Sequence, residues 1–166
     1  MRNSFHGSCI LLALSLIGPN PAFASSNAAG LLCARLDSPE WAEFAKFVNT
    51  KGLQASDGEV KFNSEIRQGN VCLRNVTLFG AFGVVMASGE SCSTDKDAFI
   101  RAVAAMLRTK ELPPTSNALA IFELANGVRE PGSLTIYRGE PSLRPTGDSS
   151  SSKISYTCVR QEGGPQ

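Results

Sequence analysis

The chain has 166 residues, a formal net charge of +1 and a single histidine, and charged residues make up 19% of it. This near-neutral balance excludes the strongly basic surface that attracts nucleic acids and anionic membranes, so we expect neither as a partner. The histidine, His6, lies in a predicted leader. We therefore expect the mature chain to lack Ser-His-Asp and Cys-His catalysis and histidine metal sites, and no motif indicates a cofactor.

Residues 1–24 have the pattern of a cleaved signal peptide. Arg2 supplies the positive start, an apolar run covers 10–17, and Ala22-Phe23-Ala24 is a small-x-small cleavage site. The alternative is a membrane anchor, but eight apolar residues fall short of the roughly 20 that a membrane-spanning helix needs. We expect cleavage near Ala24, removal of Cys9 with the leader, and a periplasmic or secreted product.

Residues 25–166 have the length of a single exported domain. Four cysteines remain in them, and an even number in an exported chain predicts two disulfides. Zinc is excluded by the wide spacing of the cysteines and the absence of histidine, whereas four free thiols remain an alternative. Of the three possible connectivities we favour Cys72–Cys92 with Cys33–Cys158.

The first part of the mature chain predicts one helix. Ser25 to Gly30 is small and polar, which is typical of a loose terminus, and a short apolar piece follows over 31–36. Ser38 is placed to cap a helix that ends at Gly52. Four apolar residues then recur at helical spacing and form one apolar face: Trp41, Phe44, Ala45 and Val48.

Strand patterns follow at 59–62 and 71–79, and a shorter apolar run covers 84–86. If the chain turns near Gly80 and Ala81, antiparallel pairing brings Cys72 opposite Gly89, three residues short of Cys92. A second helix is predicted over 94–108, because Thr94 and Asp97 have capping-box spacing and apolar residues repeat along one face. That face consists of Phe99, Val103, Met106 and Leu107.

The last third of the mature chain predicts three strands. The segment 117–125 fits either a helix or a strand, and the clear strand over 133–137 favours a hairpin. Residues 139–153 are rich in Pro, Gly and Ser, which predicts a flexible surface loop. A final strand covers 153–159. The fold class that we expect is α+β, with two amphipathic helices on an antiparallel sheet of about four to six strands.

Two stretches match the S-x-x-K spacing of serine acyl-transfer enzymes. They are Ser93 with Lys96 and Ser150 with Lys153. The companion K-T-G and S-D-N motifs are absent, and two matches in one short chain indicate how readily this spacing arises by chance. We interpret Ser93 as a helix-capping residue and Lys96 as solvated.

Paired carboxylates are the other candidate chemistry, because two of them can hydrolyse a glycoside. Glu40 and Glu43 share one helix face, and Asp95 and Asp97 begin the second helix. Stabilisation of the helix dipole is the alternative role of both pairs. Asn75 begins an N-x-T sequon, which matters only in a eukaryotic source.

These patterns favour a non-enzymatic binding module such as an inhibitor, an immunity protein or an envelope partner, which would act on another protein of the envelope or extracellular space. Two alternatives stay open: a small carboxylate-based hydrolase acting on cell-wall glycan, and a structural or assembly component of the envelope. The loop over 139–153 is the first place to look for a binding surface, since long irregular segments in compact domains are often functional.

Overall fold

A computed structural model describes residues 26–55, 58–81, 84–109, 111–115, 117–124, 132–142, 148 and 150–161. The predicted leader, 1–24, lies outside these residues. The core of the fold is one sheet in which every pairing is antiparallel. Its nine strands are β1 (Leu53–Gln54), β2 (Glu59–Phe62), β3 (Ile66–Gln68), β4 (Val71–Ala81), β5 (Val84–Ser91), β6 (Glu111–Leu112), β7 (Ala120–Leu124), β8 (Gly132–Arg138) and β9 (Ile154–Gln161).

The α+β class is confirmed, but the expected number of strands, four to six, is too low. The additional strands are β1, β3 and β6, which have only two or three residues each. The strand order is β1-β2-β4-β5-β9-β8-β7-β6, and β3 pairs with β4 beside this path. The last strand in the chain, β9, therefore lies in the middle of the sheet, and the segment 120–124 is a strand, as favoured.

Both predicted helices are present, and each begins one step from the expected cap. In α2 (Ser38–Lys51), Asp37 rather than Ser38 is the cap: its side chain accepts from Glu40 N at 2.9 Å while Glu40 Oε2 accepts from Asp37 N. In α3 (Lys96–Leu107), Asp95 rather than Thr94 is the cap. Among the described residues, no helix is both long and apolar enough to cross a membrane.

A third helix, α1 (Asn27–Leu31), replaces the loose terminus that the sequence predicts. The side chain of Gln68 accepts from the backbone N–H groups of Ala28 and Ala29 at 2.9 and 3.2 Å, which satisfies donors at the start of the helix. Gly30 lies directly against Phe44, since a Cβ atom there would be 2.5 Å from the ring. Tertiary packing, rather than local propensity, thus holds this short segment as a helix.

The three described helices lie on one side of the sheet. The strand residues that point to this side form the apolar core with them, among them Phe62, Leu73, Ile136 and Cys158. We call this side the helix-covered face. We call the opposite side the helix-free face, because no described helix packs on it. Tyr137 is buried but does not belong to the core cluster, since it points to the helix-free face.

Both disulfides that the sequence favours are present, with Cα–Cα distances of 5.9 Å for Cys33–Cys158 and 5.4 Å for Cys72–Cys92. The predicted position of the turn before β5 was wrong. Ala81 pairs with Val84, so the turn falls two residues later than expected, and a bulge between Arg74 and Thr77 shifts the register back by one residue. Together these changes bring Cys72 opposite Cys92.

Candidate functional site

A cluster of four charged side chains lies at one end of the helix-free face. Its centre is Glu90, whose side chain is only 3% exposed. Glu90 Oε2 lies 3.0 Å from Arg74 Nε, and Glu90 Oε1 lies 3.5 Å from Lys153 Nζ. Each carboxylate oxygen of Glu90 therefore faces a cation of its own.

Lys153 extends this cluster to the segment that follows β8. Its Nζ lies 2.7 and 2.8 Å from the two carboxylate oxygens of Glu140, so one ammonium group joins two acids. The hydrogen bond to Glu140 is the main cause that raises the pKa of Lys153 above its usual value. We call Arg74, Glu90, Glu140 and Lys153 the Glu90 cluster.

Tyr137 and Ser155 anchor the same segment to the sheet. The hydroxyl oxygen of Tyr137 accepts from Ser142 N at 2.8 Å and donates to the Ser142 carbonyl at 3.2 Å, and Ser155 Oγ donates to Gly139 O at 2.6 Å. Burial raises the pKa of Tyr137, although the Ser142 N–H group opposes this rise. The described ends of the predicted loop over 139–153 are thus attached to the sheet, whereas 143–147 and 149 lie outside the described residues.

Two rows of side chains continue across the helix-free face from the Glu90 cluster. The nearer row consists of hydroxyl groups on four adjacent strands: Thr77, Ser88, Thr157 and Thr135. The next row is apolar, because Phe79 pairs with Met86 and Met86 pairs with Val159. All three apolar side chains are half-buried, so they form a continuous patch that is partly open to solvent. We call it the Phe79 row.

The carboxylate pairs that the sequence singles out serve as parts of helix starts. Glu40 belongs to the capping box of α2, and Asp95 Oδ1 accepts from Asp97 N and Ala98 N at 3.0 Å each. Glu43 is exposed on α2 and Asp97 is exposed in the first turn of α3. The pairs sit on different helices, and among the described residues no contact joins one pair to the other.

In neither S-x-x-K match does the serine hydroxyl group form a hydrogen bond with the lysine of the same motif. Ser93 Oγ accepts from Asp95 N at 3.0 Å, whereas Lys96 is exposed. Ser150 Oγ donates to Asp148 Oδ1 at 2.6 Å, which lowers the pKa of that carboxyl group, while Lys153 pairs with Glu140 and Glu90. Both serines are therefore engaged in local turns. The expectation that Ser93 caps the second helix was wrong, because Asp95 caps α3.

Two further residues, Asn75 and Glu65, have defined positions but do not form a ligand-binding site. Asn75 is exposed in the bulge of β4 with φ of 49°, a left-handed conformation that asparagine tolerates. Its glycosylation stays a prediction. Glu65 Oε2 lies 4.0 Å from Cys72 Sγ, but Cys72 and Cys92 are joined in a disulfide and offer no thiolate to a metal.

The Glu90 cluster was missed by sequence reasoning, because its members come from two separate regions of the chain, 74–90 and 140–153, which meet only where β9 pairs with β5. The one local signal is Glu90 itself, an acid that follows the apolar run of β5 and points to the same side as Ser88 and Met86. Comparison with protein-family models, curated proteins and solved structures finds no match.

Proposed function

We propose that this protein is an exported, disulfide-stabilised, non-enzymatic binding module whose partner is another protein of the envelope or extracellular space. Its two disulfides are compatible with export. The observation that carries the proposal is the helix-free face, which combines the partly open Phe79 row with the charged residues of the Glu90 cluster. We propose this face as the partner's binding surface.

The composition of this face resembles the anatomy of protein interfaces. Such interfaces have an apolar centre with aromatic and methionine side chains and a polar rim. Phe79, Met86 and Val159 supply the centre, and Met86 is flexible enough to adapt to a partner. The rim contains Arg74 and Glu140, whose side chains are 44% and 74% exposed.

The contacts of Glu90 favour binding over catalysis. A catalytic carboxyl group has to reach the substrate with a free oxygen. Glu90 is buried, and each of its oxygens already faces a cation. These contacts hold the segment around Glu140 in place beside the proposed surface. Less conformational entropy is therefore lost when a partner binds there.

The test compares two substitutions of exposed or half-exposed apolar residues. Tagged protein is purified from the envelope and the medium of its source cells as wild type, Met86→Glu and Trp41→Glu. Met86 lies in the Phe79 row, whereas Trp41 is 40% exposed on α2, away from the helix-free face. Met86→Glu should reduce the recovered partner more than about tenfold, because a buried unpaired charge opposes association.

Trp41→Glu is the matched control and should recover the partner as wild type does. Both variants are first compared with wild type in their unfolding midpoints, so that loss of binding is separated from loss of the fold. An inert monomer with no partner in either fraction would contradict the proposal. Equal loss of the partner in both variants would contradict the assignment of the binding surface.

A further inference from the structure

A cleft of about 470 Å³ lies between α1, the start of α2 and the C-terminal end of α3. Small-molecule sites typically have volumes of roughly 300–1,000 Å³. The surface of this cleft is slightly more polar than apolar. The apolar part of this lining consists of Ala29, Ala34, Leu36, Met106, Leu107 and Leu124. The cleft belongs to the helix layer and is separate from the helix-free face.

Several polar groups in the lining are already engaged within the protein. Ser26 Oγ donates to Glu40 O at 3.1 Å, and Glu40 Oε2 accepts from Asp37 N at 2.9 Å. Thr109 Oγ1 donates to Glu123 O. These contacts hold the walls of the cleft in place and leave the hydroxyl groups of Ser26 and Thr109 without a proton to donate to a ligand.

Three other groups in the lining are donors without a partner among the described residues. Two of them are the guanidinium groups of Arg35 and Arg108, both exposed and neither in an ion pair. The third is the side-chain NH2 group of Gln68. Its orientation is fixed, because the oxygen of the same amide accepts from Ala28 N and Ala29 N.

Arg108 occupies a position that glycine normally fills. It follows the last turn of α3 with φ of 50°, and a left-handed residue after a helix is usually glycine because a side chain is unfavourable there. A cation near a helix C-terminus is favoured by the helix dipole. That attraction accounts for a positive charge at this end of α3, but not for the other free donors or the apolar lining beside it.

From these free donors beside an apolar patch, we infer that the cleft binds a small amphipathic anion. Its carboxylate or phosphate group accepts from Arg35, Arg108 and Gln68, because these two anions match the donor geometry of guanidinium groups. Its apolar body lies against the leucine and methionine side chains of the lining. The inference is independent of the protein partner proposed for the helix-free face.

The test is calorimetric titration of the purified, disulfide-intact protein with decanoate and, separately, with octyl phosphate. Decanol lacks the charge and inorganic phosphate lacks the apolar body, so these two compounds are the matched control ligands. We expect binding of at least one amphipathic anion with one site per chain. Decanol and inorganic phosphate should each bind at least about tenfold more weakly, because each loses one of the two kinds of contact.

The double substitution Arg35→Gln and Arg108→Gln should weaken binding of the anion at least about tenfold. Arg101→Gln is the control, since Arg101 is another exposed arginine of α3 that lines a separate cleft of about 360 Å³ beside Cys72. It should leave the affinity unchanged. The unfolding midpoints of both variants are compared with that of the wild type, so that loss of binding is separated from loss of the fold.

Several results would overturn the inference. The inference fails if neither decanoate nor octyl phosphate binds. It also fails if decanol binds as tightly as decanoate, or if inorganic phosphate binds as tightly as octyl phosphate. A double variant with wild-type affinity would also overturn it, because the guanidinium groups would then not hold the head group. An equal loss in Arg101→Gln would show a general charge effect instead of a site.

Discussion

The two faces of the sheet bury different kinds of side chain. The helix-covered face buries mainly apolar side chains. Arg160 is a buried exception whose guanidinium group donates to the carbonyl oxygens of Cys33 and Ala34. The one buried hydroxyl on this face without a partner among the described residues is that of Tyr156. The helix-free face instead buries polar groups whose partners are present, such as Glu90, Ser155 and Tyr137. Apolar burial on one face stabilises the fold, while satisfied polar groups on the other hold a surface in a defined shape.

The largest expected effect on stability concerns the two disulfides. Cys33–Cys158 links residues 125 apart and lies in the core, whereas Cys72–Cys92 links residues 20 apart and lies outside it. In the chain-entropy model, replacing both cysteines of the long link by alanine costs about 5 kcal/mol and the same change in the short link costs about 3 kcal/mol. Denaturant unfolding of the two double variants measures this. A larger loss for the short link would contradict the comparison.

Adjacent residues of β8 test the two faces within one strand. Ile136 is fully buried on the helix-covered face, and Thr135 is half-buried on the other. Ile136→Ala should lower the free energy of unfolding by about 2–5 kcal/mol, since it removes core volume. Thr135→Ala should change it by about 0.5 kcal/mol or less. Equal losses measured in urea would show that both faces contribute alike to stability.

The two tyrosines should respond to the same substitution with opposite signs. Tyr156→Phe removes a buried hydroxyl that has no partner among the described residues, so we expect a gain of about 1 kcal/mol in the free energy of unfolding. Tyr137→Phe leaves Ser142 N–H without its acceptor, so we expect a loss of about 1 kcal/mol. Thermal unfolding measures both changes. A destabilised Tyr156→Phe protein would contradict the contrast.

The same tyrosines predict a loss of stability at alkaline pH. Burial raises the pKa of both above the usual 10.0, and the rise at Tyr137 is opposed by the Ser142 N–H group. Their contribution is therefore fully present below pH 10 and declines above it, because the unfolded chain releases these protons first. Each tyrosine contributes a slope of up to about 1.4 kcal/mol per pH unit. Tyr156→Phe should flatten the decline more than Tyr137→Phe when unfolding is measured from pH 9 to 11.5.

The elements with long, regular patterns were predictable from the sequence. The end of α2 before Gly52 and the long strand β4 follow from periodicity and local capping chemistry. By contrast, α1 contains Gly30 and exists because Phe44 and Gln68 hold it. Strands β1, β3 and β6 are too short to show a period, so only their neighbours in the sheet define them.

Little of the candidate site was predictable, because its residues meet only through strand order. The insertion of β9 between β5 and β8 brings Ser155 beside Glu90. The cation–acid contacts of Arg74 and Lys153 then follow from register, which depends on the bulge in β4. Neither the bulge nor the central position of the last strand has a signal in local sequence spacing.

The most direct test of the helix-free face as a binding surface is site-specific photo-cross-linking in the source cells. A photoreactive amino acid is placed at Met86 in one protein and at Trp41 in another, and each is irradiated in place. We predict one discrete adduct with a second protein from the Met86 position and none from the Trp41 position. An adduct from Trp41 alone, or from neither position, would contradict the proposed binding surface.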